Sequence, residues 1–354
     1  MVEQIGVNEM DIVVVGPGAI GCGAAAKIGS NNHSVYLLGR EYHKKYFEKN
    51  PVVYRVGDEI IKSQVKPITI EDVKYNNINP GAVLITLKAN STLDLVKGLE
   101  QYIPAETPII SLQNGFIAQD ILHETTFNNV FACVVGYNSL LKDTGMAVQT
   151  TDGDIIVGKV SDDNSTISSN GVPEFILDNL NHLVTTKVSQ NITSDVWMKA
   201  MINSTINPIC AIGDITLGEL GVYDPAIKLS LWVWRELVQV VDRLNLKLNP
   251  FQGILHPEML YVYDIVSFVI AKMVIQKMTG ANKDAVVSML QDVRLGRSTE
   301  IDYLNGRIFE IGKGLGVDMP VNEILIDTVK RIEKGELKPS KGLLNKIYRN
   351  YVLK

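Results

Sequence analysis

Residues 11–21 read Asp11-Ile12-Val13-Val14-Val15-Gly16-Pro17-Gly18-Ala19-Ile20-Gly21, and the order of residue types in this stretch decides the fold. A short apolar run ends on glycine, and a helix-like segment follows. Strand, glycine turn, helix is the setting in which a G-x-G-x-x-G spacing acquires meaning as a dinucleotide-binding turn. Each glycine has its own task. Gly16 permits the tight turn and Gly18 lets the backbone approach a pyrophosphate. Gly21 lets the helix pack against the strand, while the first-turn amides beyond Pro17, around Ala19 and Ile20, face the anion.

Working outward, Ser34 to Leu38 supplies a second β-rich run and completes a βαβ opening. Further apolar runs at Ala82 to Leu87, Pro108 to Leu112 and Asn129 to Val135 are separated by polar or helical stretches, the pattern of parallel strands covered on both faces. A β-rich piece around Asp154 to Val160 closes this half. From about Thr193 the pattern is helical, with Leu229 to Leu246 and Glu258 to Met278 as long apolar-periodic stretches. The expectation is an α/β protein with an N-terminal Rossmann domain over 1–192 and an all-helical domain over 193–354.

Composition agrees with two globular domains in 354 residues, of which 46% are hydrophobic and 21% charged. A formal charge of −5 with interspersed signs gives no reason to expect nucleic acid as a partner. Three cysteines, Cys22, Cys133 and Cys210, stand far apart without a CxxC pair. This pattern argues against a disulfide scaffold and against a metal site, and it fits the reducing cytoplasm. The first residues carry acids and lack an apolar core, so they read as neither signal nor transit peptide. Ile265 to Met278, interrupted by Lys272 and Lys277, reads as a core helix rather than a membrane span.

Where an NAD-preferring site places Asp or Glu after the second strand, this chain has Leu38-Gly39-Arg40. A guanidinium there suits the 2′-phosphate of NADPH through a forked, charge-assisted contact, the alternative being an ordinary solvated loop charge. Lys88 and Asn114 follow apolar runs and are expected at the carboxyl edge of the sheet, where open α/β sheets bind ligands; Asn114-Gly115 alone reads as a turn.

In the helical half, Trp197 to Asn207 opens a helix with Ser194 or Asp195 as a ready N-cap. Lys199, Asn203 and Asn207 recur every four residues and share one face. On pattern alone this stripe is either a site or a polar seam. Ser288 opens a later polar group. Thr299 with Asp302 has capping-box spacing, which places Glu300 in the first turn of a helix, where a carboxylate complements the dipole.

The GPGAIG turn, the lysine of TLKA, the LQNGF segment, the WMKAMINSTINP helix and the late SMLQDV and STEIDYLNG motifs resemble the ketopantoate reductase family, in its order, over residues 10–335. The resemblance implies a helical domain of the 6-phosphogluconate dehydrogenase type and NADPH-dependent reduction of 2-dehydropantoate to pantoate. It further implies that Lys199 is the catalytic acid and that Asn203, Asn207 and Ser288 contact substrate. Asn114 is then expected near the nicotinamide, and Glu300 holds the lysine or a substrate hydroxyl.

Two positions depart from the family pattern, because Ala285 and Leu217 stand where amides are common, and this bears on substrate choice. The helical half is also longer than usual between Leu220 and Asp284, a region carrying Trp232, Trp234, Tyr261, Tyr263 and Phe268 as core or as a subunit interface. The expected partners are a small 2-oxoacid and a second copy in a homodimer. One alternative is a reductase of another branched 2-oxoacid. A second is a β-hydroxyacid or 6-phosphogluconate type dehydrogenase, which places a Gly-rich turn before its lysine where this chain has Ser194-Asp195-Val196-Trp197-Met198. A third is a non-catalytic NADPH-binding sensor, which needs neither Lys199 nor Glu300.

Overall fold

Val13, Val14 and Val15 are wholly buried in an interior strand of an eight-stranded sheet, in a computed structural model. The structure describes residues 11–31, 33–76, 78–161, 171–250, 268–269, 272–274, 276 and 283–351. The chain divides into two units, Met1–Val196 and Trp197–Lys354.

In the first unit, β1 (Asp11–Val15), β2 (Ser34–Leu38), β5 (Lys66–Ile68), β6 (Ala82–Ile85), β7 (Ile109–Ser111) and β8 (Val130–Val135) run parallel in the order β5-β2-β1-β6-β7-β8. This is the doubly wound order with β1 at the switch point. Val13 lies opposite Tyr36 on one side and Val83 on the other. Every residue of β6 is buried, as expected of a strand covered on both faces. The run at the end of this half forms β11 (Ile155–Lys159), which is antiparallel to β8 and carries β12 (Thr186–Val188) on its outer edge. The helices of this unit are α1 (Ala19–Gly29), α2 (Glu41–Phe47), α3 (Ile70–Tyr75), α4 (Thr92–Leu99), α5 (Ile117–Glu124) and α6 (Glu174–Leu183).

A second sheet, which the sequence patterning does not foretell, has the order β4-β3-β10-β9, formed by β3 (Val52–Val56), β4 (Glu59–Ser63), β9 (Asn138–Asp143) and β10 (Met146–Thr151). It lies against α1, whose buried residues include Gly23, Ala24, Ala25 and Ala26. Small side chains let the helix be covered by both sheets. A Cβ at Gly23 would sit 2.9 Å from the Tyr54 ring of β3, closer than packed carbon atoms approach.

The second unit is helical. It opens within α7 (Ile192–Gly213), whose residues up to Val196 belong to the first unit, and continues with α8 (Leu217–Leu220), α9 (Asp224–Arg243), α10 (Ser288–Arg294), α11 (Asn305–Gly314), α12 (Pro320–Glu333) and α13 (Lys341–Tyr351). Of the expected stretch from Glu258 to Met278, residues 268–269, 272–274 and 276 are helical; the rest, with Tyr261 and Tyr263, lies outside the described residues. Trp234 is buried and Trp232 half-buried, with the Arg235 guanidinium 5.4 Å from the Trp232 ring centre. No described helix is long and apolar enough to cross a membrane. Among the described residues no cluster of three His, Cys, Asp or Glu is placed to hold a metal.

The start of α7 corrects one expectation. The helix begins at Ile192, so Ser194 and Asp195 lie inside it, and Asn191 is the capping side chain, its Oδ1 accepting the Ser194 amide at 3.1 Å. Ser189 secures the cap, its hydroxyl oxygen accepting the Asn191 amide at 3.0 Å and its hydroxyl hydrogen going to Asp195. Asn caps as well as Ser or Asp, and relative to a Ser194 cap the helix gains Ile192, Thr193 and Ser194.

At the start of α3, Asp72 accepts the Thr69 amide at 2.7 Å, and both its oxygens lie 2.8 Å from Lys44 Nζ of α2. Burial opposes the Asp72 charge, but the Lys44 ammonium and the Thr69 donors outweigh it and hold the carboxyl below its ordinary 3.8. A depressed carboxyl pKa contributes stability above the unfolded value and loses it as pH falls through the folded value. Asp72→Asn is therefore expected to cost about 1 kcal/mol at pH 7, the scale of a lost cap with a partly exposed ion pair. Urea midpoints of the two proteins should converge as pH is lowered below about 4; a constant gap would contradict the assignment.

Candidate active site

The glycine turn is built as its spacing requires. Gly16 has φ +102°, a conformation that favours glycine, and its amide donates to Leu38 O of β2 at 3.0 Å. Gly18 is the N-cap of α1 and no side chain caps the helix, so the first-turn amides have no partner within the helix. A Cβ on Gly18 would meet nothing within 4 Å, whereas one on Gly21 would collide with Gly16 O and with Thr86 Oγ1. Gly21 thus serves close packing against the turn itself, and Gly18 faces open space. There is no acidic residue in the first turn of α1. Uncapped amides, open space and the absence of a local carboxylate fit a pyrophosphate.

Two residues that motif spacing does not single out hold this edge together. Thr86, just past β6, donates its hydroxyl to Val15 O and Gly16 O, both at 2.8 Å. Gln113 Nε2 donates to Leu87 O at 2.7 Å and to Thr92 Oγ1 at 2.5 Å. Gln113 precedes Asn114 and Leu87 precedes Lys88, so these bonds join the loop carrying Asn114 to the loop carrying Lys88. Leu87 in turn lies against Gly16. The signal available in the sequence was a polar residue at the end of an otherwise apolar run. Lys88 is exposed and Asn114 half-buried.

Arg40 is exposed at the N-cap of α2, directly after β2 and Gly39. Its amide donates to His43 Nδ1 at 3.1 Å. Accepting that hydrogen requires Nδ1 to be unprotonated, and burial together with the nearby Arg40 charge lowers the His43 pKa. A Cβ on Gly39 would press on His43 and on Pro17 of the glycine turn, so these three residues are adjacent. The Arg40 side chain is exposed next to the turn and is followed by Glu41 in the first turn of α2; a guanidinium at this position can make a charge-assisted contact to a phosphate.

In the helical unit, α7 is buried along nearly its whole length. From Val196 to Gly213 the two positions that are not buried are Lys199 and Asn203, with Asn207 next on the same line and 5% exposed. Part of the Lys199 side chain stays accessible, yet burial lowers its pKa from the ordinary 10.5. Ser288 is the exposed first residue of α10. The two departures from the family pattern are neighbours, since the Leu217 amide donates to Ala285 O at 3.0 Å.

The expected capping box around Glu300 does not form. Thr299 Oγ1 accepts the Ile301 amide at 3.2 Å, the Thr299 amide goes to Glu333 Oε1 at 2.6 Å, and Asp302 pairs with Lys330 at 2.7 Å. Asp302 is drawn to a full cation on α12 rather than to a backbone amide. Glu300 consequently stands at the N-cap of a single 3-10 turn, Ile301–Tyr303, ahead of α11. That segment is tied to α7, because Asn305 Nδ2 donates to Ser204 O at 2.8 Å, one residue beyond Asn203.

Comparison with known proteins bears on both units. Residues 12–162 match the family described as Ketopantoate reductase PanE/ApbA, and residues 191–333 match Ketopantoate reductase PanE/ApbA C terminal. A 2-dehydropantoate 2-reductase of Pyrococcus horikoshii is 25% identical over 325 residues, covering 92% of this chain and 98% of that protein. Among solved structures, a D-mandelate dehydrogenase with NADH and anilino(oxo)acetate superposes with TM-score 0.78 at 20% identity, covering 92% of this chain and 99% of that one. A dimeric ketopantoate reductase from Staphylococcus aureus superposes with TM-score 0.69 at 18% identity, covering 93% and 100%. A glycine turn built for a dinucleotide, a helical unit led by a polar-striped helix, and family matches along both units make this chain an oxidoreductase of the ketopantoate reductase family.

Proposed function

We infer that the protein reduces 2-dehydropantoate to pantoate with NADPH, a step of pantothenate and coenzyme A synthesis, as a cytoplasmic homodimer. The observation that carries this reading is the Lys199–Asn203 line, the polar opening in a helix otherwise buried from 196 to 213. The names of the curated relatives support the substrate, Arg40 supports the extra phosphate, the dimeric relative supports the assembly, and three buried free cysteines suit a reducing compartment.

The reduced nicotinamide, when bound by the glycine turn, supplies the hydride. The residues of this chain do the rest. As negative charge grows on the 2-oxo oxygen, the Lys199 ammonium stabilises it and donates the proton. Burial loosens that proton by lowering the lysine pKa. Neutral donors on Asn203, Asn207 and Ser288 bind the substrate carboxylate without neutralising the lysine, and the Glu300 carboxylate orients the ammonium or a substrate hydroxyl. Asn114 and Lys88 line the cofactor edge. The fold neighbour solved with NADH makes cofactor choice the first thing to measure. Arg40→Ala should raise the NADPH dissociation constant by about tenfold or more, as loss of a charge-assisted contact does, and leave NADH nearly unchanged; equal losses would remove Arg40 from the site.

Lys199→Ala should lower kcat by about 100-fold or more with cofactor affinity intact. In the unsubstituted enzyme kcat/KM should fall as pH rises through a lysine pKa below 10.5, because the protonated form is the acid. A near-normal kcat, or the same alkaline limb in the variant, would refute the role.

A second reading, reduction of another branched 2-oxoacid, rests on the contact of Leu217 with Ala285. Apolar residues hold both positions where the family pattern has amides, leaving fewer side-chain donors for the hydroxyl that distinguishes 2-dehydropantoate from 2-oxoisovalerate. An apolar pocket discriminates by only about 1–3 kcal/mol, whereas a site bonded to the hydroxyl rejects the analogue by about 10⁴ or more. The expected ratio of kcat/KM for the two substrates, at saturating NADPH, lies well below that figure. A ratio of about 10⁴ or more would show other groups bonding the hydroxyl.

A further inference from the structure

Pro208 lies inside α7. It has no amide hydrogen, so the carbonyl four residues earlier, Ser204 O, loses its helical donor. Ser204 is wholly buried, and a buried carbonyl must find another donor. Asn305 supplies it, with Nδ2 at 2.8 Å. The same amide group also donates to Asn322 Oδ1 at 2.9 Å, and Asn322 Nδ2 donates to Glu236 Oε2 at 2.8 Å. The Glu236 carboxylate further accepts the amides of Val321 and Asn322 at 2.8 and 2.9 Å, at the start of α12. Asn305 and Asn322 are 0% exposed and Glu236 4%.

The direction of this chain is dictated from one end. Burial raises the Glu236 pKa above its ordinary 4.5 against the pull of these donors, yet both of its oxygens accept N–H groups, so Asn322 turns its NH₂ toward it and its oxygen toward Asn305. Asn305 must then present NH₂, which is what the Ser204 carbonyl needs. A second device acts one residue on, where Thr205 Oγ1 donates to Met201 O at 2.8 Å, a back-bond that bends helices. Asn203 and Asn207 flank this irregular turn, and Lys199 lies one turn before it.

We propose that Asn305 is a positioning residue for the substrate groups of α7, capping the carbonyl that Pro208 releases and so fixing where Asn203 and Asn207 point relative to Lys199. This rests on the reading that the α7 line binds the 2-oxoacid. Restoring an amide hydrogen at position 208 then makes the cap redundant. The test is a double-mutant cycle in the full chain with Asn305→Leu, Pro208→Ala and the double variant. For each protein kcat, the oxoacid KM, NADPH affinity and the urea midpoint are measured, with 2-dehydropantoate as substrate.

In the native background Asn305→Leu should lower kcat about tenfold and raise the substrate KM, as small misplacements of reacting groups do, while NADPH affinity changes less than about twofold, the cofactor turn belonging to the other unit. In the Pro208→Ala background the same substitution should cost at least about threefold less, the remainder reflecting Asn322 Oδ1 left without its donor. Failure of Asn305→Leu to fold, with recovery in the double variant, would be the same result in stronger form. Equal losses in both backgrounds, failure to fold in both, or a parallel loss of NADPH affinity would overturn the proposal. If the unsubstituted protein turned over no 2-oxoacid, the functional reading would fail, and unequal urea midpoints across the cycle would still show the cap; additive midpoints would remove it.

Discussion

A helix buried on nearly every side has to account for each polar group it carries, and α7 carries many. Its three site candidates, its proline-released carbonyl and its back-bonding threonine all lie within Lys199 to Pro208. A buried polar group left without a partner costs roughly 1–3 kcal/mol; the Ser204 carbonyl is answered, while the Ser204 hydroxyl oxygen finds no partner among the described residues. Asn305 of α11, Asn322 of α12 and Glu236 of α9 answer that carbonyl in series. Lys199 and Asn203 are the two positions from Val196 to Gly213 at which the helix is not fully buried.

The first unit solves a different problem by the same economy of space. Helix α1 has to lie close to both sheets and keep its first-turn amides open. Glycine and alanine on its flanks permit the first, since a Cβ at Gly21 or Gly23 would strike Gly16 O or the Tyr54 ring. Gly18, with nothing near its missing side chain, permits the second. Thr86 and Gln113 then lock the loops after β6 and β7 to the turn, so Lys88 and Asn114 belong to one assembled edge.

The strand, turn and helix around Gly16 were legible because their signals are local, a valine run followed by glycines at fixed spacing. The parallel order of the sheet followed from apolar runs buried on both faces. The second sheet was not legible, because β3 pairs with β10 across some ninety residues and its strands are short and partly exposed. On α7 the four-residue spacing exposed the polar line, but Asn191 outcompeted Ser194 as cap through a bond that spacing alone does not rank. The capping box expected of Thr299 and Asp302 failed for a similar reason, since Asp302 found Lys330, distant in sequence, instead of the nearby amide. The chain from Ser204 to Glu236 joins residues separated by 101, 17 and 86 positions, and no local pattern announces it.

We infer that this chain moves a hydride from a nicotinamide onto the 2-carbon of an oxoacid, with Lys199 supplying the proton. The direct measurement is label transfer. NADPH carrying deuterium at the transferable C4 position is incubated with the protein and 2-dehydropantoate, and the product is analysed by mass spectrometry and proton NMR. The expected product is pantoate bearing one deuterium at C2, formed with one stereochemistry there, and formed far more slowly by Lys199→Ala. Oxidation of NADPH without deuterium at C2 of the product, or no product from any 2-oxoacid, would contradict it.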